Sequence, residues 1–215
     1  MVALALLVLA SVAVYTTSQG HRTPPIILYV NQGNGVVNGS NFESMVGYAS
    51  SRGFNTIFFQ VYRQGLLLFS NDELTTFVNE THARGLKIFF ALYITDSSQG
   101  IPTSILNLGE DGVSLDMSTL DIGTQEGLLV DLETSYHGET AVTTTNMQSP
   151  LRPDLLVLET YGLPYQQYIR HGTVASVGVF VTSSREDYQS QFQYALQNSD
   201  GVMVFDYAGL LKRGY

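Results

Sequence analysis

Two carboxylates, Asp131 and Glu133, stand one residue apart at the end of the run Gly127-Leu128-Leu129-Val130-Asp131-Leu132-Glu133. Alternate side chains of a strand share a face, so in a strand Leu129, Asp131 and Glu133 point one way and the other leucines and Val130 the opposite way. Acids this close repel each other, and partial desolvation adds to the effect, so one of them should hold its proton near neutral pH. A neutral carboxylic acid beside a charged one is what general acid catalysis of glycosidic cleavage requires. The competing reading is two solvated residues at a strand end. A further acid, Glu159, shares a strand face with Tyr161 and is the better second carboxylate where a substrate offers no nucleophile of its own.

Elements able to position these groups follow from the apolar pattern. Strands are expected at 26–32, 54–62, 86–93, 127–133, 140–146, 155–161, 174–182 and 201–207, each an apolar run punctuated by Gly, Pro or Asn. Helices are expected from Ser40 or Asn41 to Arg52, from Ser70 to Gly85 and over Ser184 to Gln197, with shorter ones near 103–107 and 117–125. Strand and helix alternate at the front, which predicts parallel pairing with right-handed crossovers. Eight such strands close into a small, trimmed α/β (β/α)8 barrel over 26–215, its helices shortened or missing after the fourth and fifth strands. No glycine-rich dinucleotide loop follows the first strand, which argues against an open doubly wound sheet.

At the carboxyl ends of these strands, where barrels place their active sites, fall Tyr29 and Asn31, Gln60 and Tyr62, Tyr93, Phe205 and Tyr207. Polar members of this set are candidates for sugar hydroxyls, and capping of loops is the plainer alternative. Arg63 either binds a carboxylate or pairs with a surface acid. The chain lacks Cys, and His21, His82, His137 and His171 show no ligand spacing, so neither metal nor cofactor is expected.

The 215 residues carry 10 basic and 19 acidic side chains, a net charge of −9 that disfavours nucleic acid as a partner. Residues 2–15 form an unbroken apolar run. As a helix that run spans about 21 Å, short of the roughly 30 Å of a bilayer core. It suits a secretory signal or short anchor within 1–25, with Ser11-Val12-Ala13 as a plausible cleavage point. The body is then secreted or membrane-anchored outside the cytoplasm, touching the membrane only through this segment, and is taken as a monomer. Asn38-Gly39-Ser40 and Asn79-Glu80-Thr81 would be glycan acceptors there.

The segment 126–133 resembles the fourth-strand pattern of family 18 glycoside hydrolases, the chitinase-like barrels, Asp-Gly-x-Asp-x-Asp-x-Glu. Glu126 stands at the first acid, Gly127 at the glycine, Asp131 at the last aspartate and Glu133 at the glutamate, while Leu129 replaces the middle aspartate. Tyr161 resembles the family's sixth-strand tyrosine, followed here by Gly162 rather than Asp. Gly201-Val202-Met203-Val204-Phe205 is similar to its last-strand run, with Phe205 in place of the sugar-stacking Trp. The segments 53–63 and 83–88 look like strands two and three of the wider glycoside hydrolase barrel superfamily. This resemblance implies an exported hydrolase of oligo- or polysaccharides acting by substrate-assisted retention. Glu133 would protonate the glycosidic oxygen, and Asp131 with Tyr161 would orient an acetamido group. The alternative is an inactive barrel that binds glycans or builds the cell envelope.

Overall fold

The computed structural model describes residues 23–32, 37–161, 164–182 and 184–215. The segment behind the export expectation therefore lies outside the described residues, apart from its last three positions, as does Gly162. Nine strands form one sheet: β1 (Ile26–Val30), β2 (Thr56–Arg63), β3 (Leu66–Leu67), β4 (Lys87–Tyr93), β5 (Gly112–Asp116), β6 (Glu139–Thr144), β7 (Leu155–Glu159), β8 (Val174–Gly178) and β9 (Gly201–Phe205). They pair in the order β1-β9-β8-β7-β6-β5-β4-β2-β3, and a further β1–β2 pairing closes the ring. All pairings are parallel except that of β3, a two-residue hairpin arm antiparallel to the end of β2. This is a small (β/α)8 barrel.

Helices α1 (Phe42–Ser51), α2 (Asn71–Ala83), α3 (Ile122–Ser135), α4 (Arg185–Asn198) and α5 (Tyr207–Arg213) cover its outside. Local chemistry sets their ends. Ser70 and Glu73 form a reciprocal capping box at α2, and the Asp121 and Ser184 side chains each accept from a backbone N–H of the first turn of α3 and α4. Two apolar compartments result. One lies between strands and helices and includes Phe42, Phe59, Phe77 and Leu132. The other fills the ring with Ile27, Tyr29, Phe58, Phe89, Val157 and Met203. Large rings inside demand small neighbours: a Cβ on Gly112 would lie 2.2 Å from Phe89 Cε1, and Ala91 and Ala141 occupy adjoining inward positions. At the amino-terminal end, Lys87 Nζ and Glu139 Oε1 bridge β4 and β6 at 2.7 Å.

Two expectations are corrected. The expected strand 127–133 is the second half of α3. Gln125, Leu128, Leu129 and Leu132 are buried in it at spacings of three and four, the helical stripe, while Val130 is 59% exposed. The fourth barrel strand is instead β5, over residues where the apolar pattern predicts no strand. Consequently the helix after the fourth barrel strand is present. Cover is absent between β6 and β7, as expected for the fifth strand, and shrinks to one 3-10 turn, Tyr165–Gln167, between β7 and β8.

Candidate active site

Six strand ends converge at the carboxyl rim on a cavity of about 230 Å³. Asn31 follows β1, Gln60 and Arg63 belong to β2, and Tyr93 ends β4; these form one arc of the wall. Asp116 ends β5, Ser118 lies two residues on, Glu159 ends β7 with Tyr161 beyond it, and Phe205 ends β9. The same alternation that puts Ala91 and Val157 inside carries Tyr93 and Glu159 to the cavity.

Both acids at its floor are raised above their ordinary values. Asp116 is 5% exposed and is pushed up to about 7, first by burial and then by the charge of Glu159. Hydrogen bonding from Tyr29 and Ser118 offsets part of that rise. Tyr29 Oη donates to Asp116 Oδ2 at 3.1 Å, whereas Oδ1 is buried and makes no hydrogen bond of ordinary geometry. Burial also raises Glu159, but the Tyr161 hydroxyl donates to its Oε1 and favours the ionised form. Tyr29 and Tyr161 are held neutral, each raised first by burial and further by the acids beside it, so both remain proton donors in their hydrogen bonds. The floor thus carries a carboxyl pair in which Asp116, beside the charge of Glu159, keeps its proton to near neutrality. Such a pair can give a proton to a leaving oxygen on one side and present a carboxylate on the other.

Aromatic rings line the adjoining wall. Phe205 packs on Tyr29 at 4.9 Å and on Tyr161 at 5.8 Å between ring centroids. Phe180, 53% exposed, meets Tyr161 edge-on at 5.3 Å. Opposite, Gln60 Oε1 accepts from the Gln32 N–H at 2.9 Å, and the Arg63 guanidinium lies 5.4 Å from the Tyr93 ring centroid.

Of the residues anticipated from sequence, Asn31, Gln60, Tyr93, Glu159, Tyr161 and Phe205 meet at this cavity. Asp131 and Glu133 do not: both are exposed on α3, because the segment is helical and its buried stripe excludes them. Tyr62 turns outward. A register shift between Gln60 and Tyr62 puts Val61 and Tyr62 both in the outer compartment, and the Tyr62 hydroxyl donates to the Gln99 carbonyl at 2.7 Å. The same shift aims Arg63 inward. Tyr207 opens α5 rather than extending β9, and is buried 5.3 Å from the Tyr48 ring. Asp116 was missed along with its strand. The signal was present: Asp111-Gly112-Val113-Ser114-Leu115-Asp116-Met117-Ser118 carries the Asp-Gly and the last Asp of the pattern sought at 126–133. Among the described residues, no group of three or more His, Asp or Glu side chains could hold a metal ion, and no helix is long and apolar enough to cross a membrane.

No protein-family model matches the chain, and no curated protein matches it in sequence. Solved structures do match. The noncanonical maltogenic α-amylase of Thermotoga neapolitana superposes with a TM-score of 0.56 at 10% identity, over 86% of this chain and 68% of that one. The β-mannanase of Alicyclobacillus acidocaldarius, of glycoside hydrolase family 113, superposes with a TM-score of 0.58 at 9% identity, over 85% of this chain and 86% of that one. The likeness is one of fold, the (β/α)8 barrel.

Proposed function

We propose that the protein hydrolyses glycosidic bonds, with Asp116 as general acid and Glu159 as the carboxylate acting at the anomeric carbon. The observation that carries this reading is the buried pair itself, in which the charge of Glu159 helps keep Asp116 protonated to about pH 7. The Tyr161 hydroxyl donates to Glu159 and favours its ionised form, and Phe205 with Phe180 offers an apolar wall for the sugar face. Asn31, Gln60 and Tyr93 supply polar contacts on the opposite arc. The protein acts outside the cytoplasm, a reading supported by the apolar segment 2–15.

The test is release of nitrophenol from α- and β-linked nitrophenyl glycosides by wild type, Asp116→Asn and Glu159→Gln. Turnover by wild type and its loss in both variants is expected. No turnover on the panel, or turnover that survives Asp116→Asn, overturns the reading. Saturable glycan binding without product would make the barrel a binding module.

A second reading rests on the spacing of Asp111, Gly112 and Asp116 in the true fourth barrel strand. In a family 18-type reaction Asp116 and Tyr161 would orient a substrate acetamido group. Ser118 stands where that pattern has its glutamate, so Glu159 would supply the proton. Strong preference for N-acetylated substrates favours this version; equal turnover of plain sugars excludes it.

A further inference from the structure

Arg63 is the cation among the residues lining the cavity. It is half-buried, yet among the described residues no Asp or Glu lies within ion-pair distance of it. Asp116 and Glu159 line the same cavity, and neither forms an ion pair with the guanidinium. Its contacts fix it in place without neutralising it: the Tyr93 face at 5.4 Å and Asn31 Oδ1, which accepts from Nη1 at 3.4 Å. A guanidinium carries five N–H donors, and this one has a single described acceptor. The register shift in β2 is what turns it inward, where regular alternation would have placed Tyr62.

Partial desolvation of a cation is unfavourable unless a counter-charge arrives, and the planar fork of Arg matches oxyanions better than it matches sugar hydroxyls. The protein's net charge of −9 makes the exception more telling, since anions are repelled from most of its surface. The geometry points to an anionic saccharide as the ligand, its carboxylate or sulfate group held by Arg63 while the glycosidic bond lies over the Asp116–Glu159 pair. The cleavage half of this statement rests on the proposed function; recognition of the anion does not.

The experiment uses the full chain and three nitrophenyl substrates, each as both anomers: a glucuronide, a glucoside and a glucoside 6-sulfate. Wild type should prefer one of the anionic substrates over the glucoside by at least about tenfold in kcat/KM, about 1.4 kcal/mol in transition-state binding. That preference should collapse towards unity in Arg63→Gln and recover in part in Arg63→Lys. Preference for the glucuronide assigns a uronate, and preference for the sulfate assigns a sulfated sugar. A neutral preference in wild type, or an unchanged ratio in Arg63→Gln with an unchanged melting temperature, overturns the inference. NMR titration with glucuronic acid, glucose 6-sulfate and glucose separates the two readings. Arg63-dependent binding of an anion without any turnover removes the hydrolase and keeps the anion site. Turnover of neutral glycosides with no anion selectivity does the reverse.

Discussion

Two segments of this chain present a pair of acids on an apolar framework, and only one pair lines a cavity. On α3, Asp131 and Glu133 stand among leucines, but the helix sends Leu128, Leu129 and Leu132 inward and leaves both acids in water. At the barrel rim, Asp116 and Glu159 come from strands separated by β6, 43 positions apart in sequence (159 − 116), and the closed sheet puts them on one floor. Proximity in sequence brought no burial. Burial combined with a facing charge moved Asp116 to about 7.

Removing either rim acid should have the largest effect on this contrast. Asp116→Asn and Glu159→Gln are each expected to lower kcat by about 10³-fold, within the range general acid–base groups contribute. The pH profile of kcat/KM should fall on its alkaline side with an apparent pKa near 7, as Asp116 loses its proton. In Glu159→Gln any residual activity should show that limb displaced to lower pH, because the neighbouring charge is gone. Stability moves the other way. In the unfolded chain Asp116 titrates near 3.9. Between that value and about 7 the folded chain keeps a proton the unfolded chain has lost, so stability declines as pH rises and levels off above 7. At about 1.4 kcal/mol per pH unit the decline totals on the order of 4 kcal/mol. Denaturant melts should therefore show Asp116→Asn more stable than wild type at pH 8, with the advantage shrinking towards pH 4.

Tyr161→Phe keeps both carboxyls but removes the donor to Glu159, and a 10- to 100-fold loss of kcat/KM, about 1.4 to 2.7 kcal/mol, is expected, the size of one charge-assisted hydrogen bond. The smallest effect belongs to the other pair. Asp131→Asn with Glu133→Gln should alter turnover by less than about twofold and stability by roughly 0.5 kcal/mol or less, as for exposed positions away from any network. A large loss of activity from that double variant would break the contrast at its root.

Much of the barrel was legible because its strands advertise themselves. The runs at 26–30, 56–62 and 87–93 are rich in aliphatic and aromatic residues and flanked by Pro or Gly; the Ser70–Glu73 capping box marks the start of α2. β5 is five residues long, and the packing of Phe89 requires its first to be glycine, so Gly-Val-Ser-Leu-Asp carries little strand character. α3 erred in the other direction. Polar Gln125 occupies one place of its buried stripe, donating to the Met117 and Leu120 carbonyls, and the consecutive Leu128, Leu129 and Val130 then look like a strand. One misplaced element took the fourth-strand acid with it, whereas Glu159 and Tyr161 survived because their own strand was read correctly. Tyr62 and Arg63 changed places through a register shift that no pattern in the sequence marks.

The thin cover over β7 has its own consequence. Its seam with β8 is closed by three paired positions, against five between β4 and β5, and among the described residues no α-helix joins it to either neighbour. On warming, this is the stave that loosens first, and its amides should take up deuterium ahead of those in β2 and β4. Glu159 and Tyr161 ride on that stave, so the molecule will lose its alignment of reacting groups at temperatures where most of the barrel is still intact.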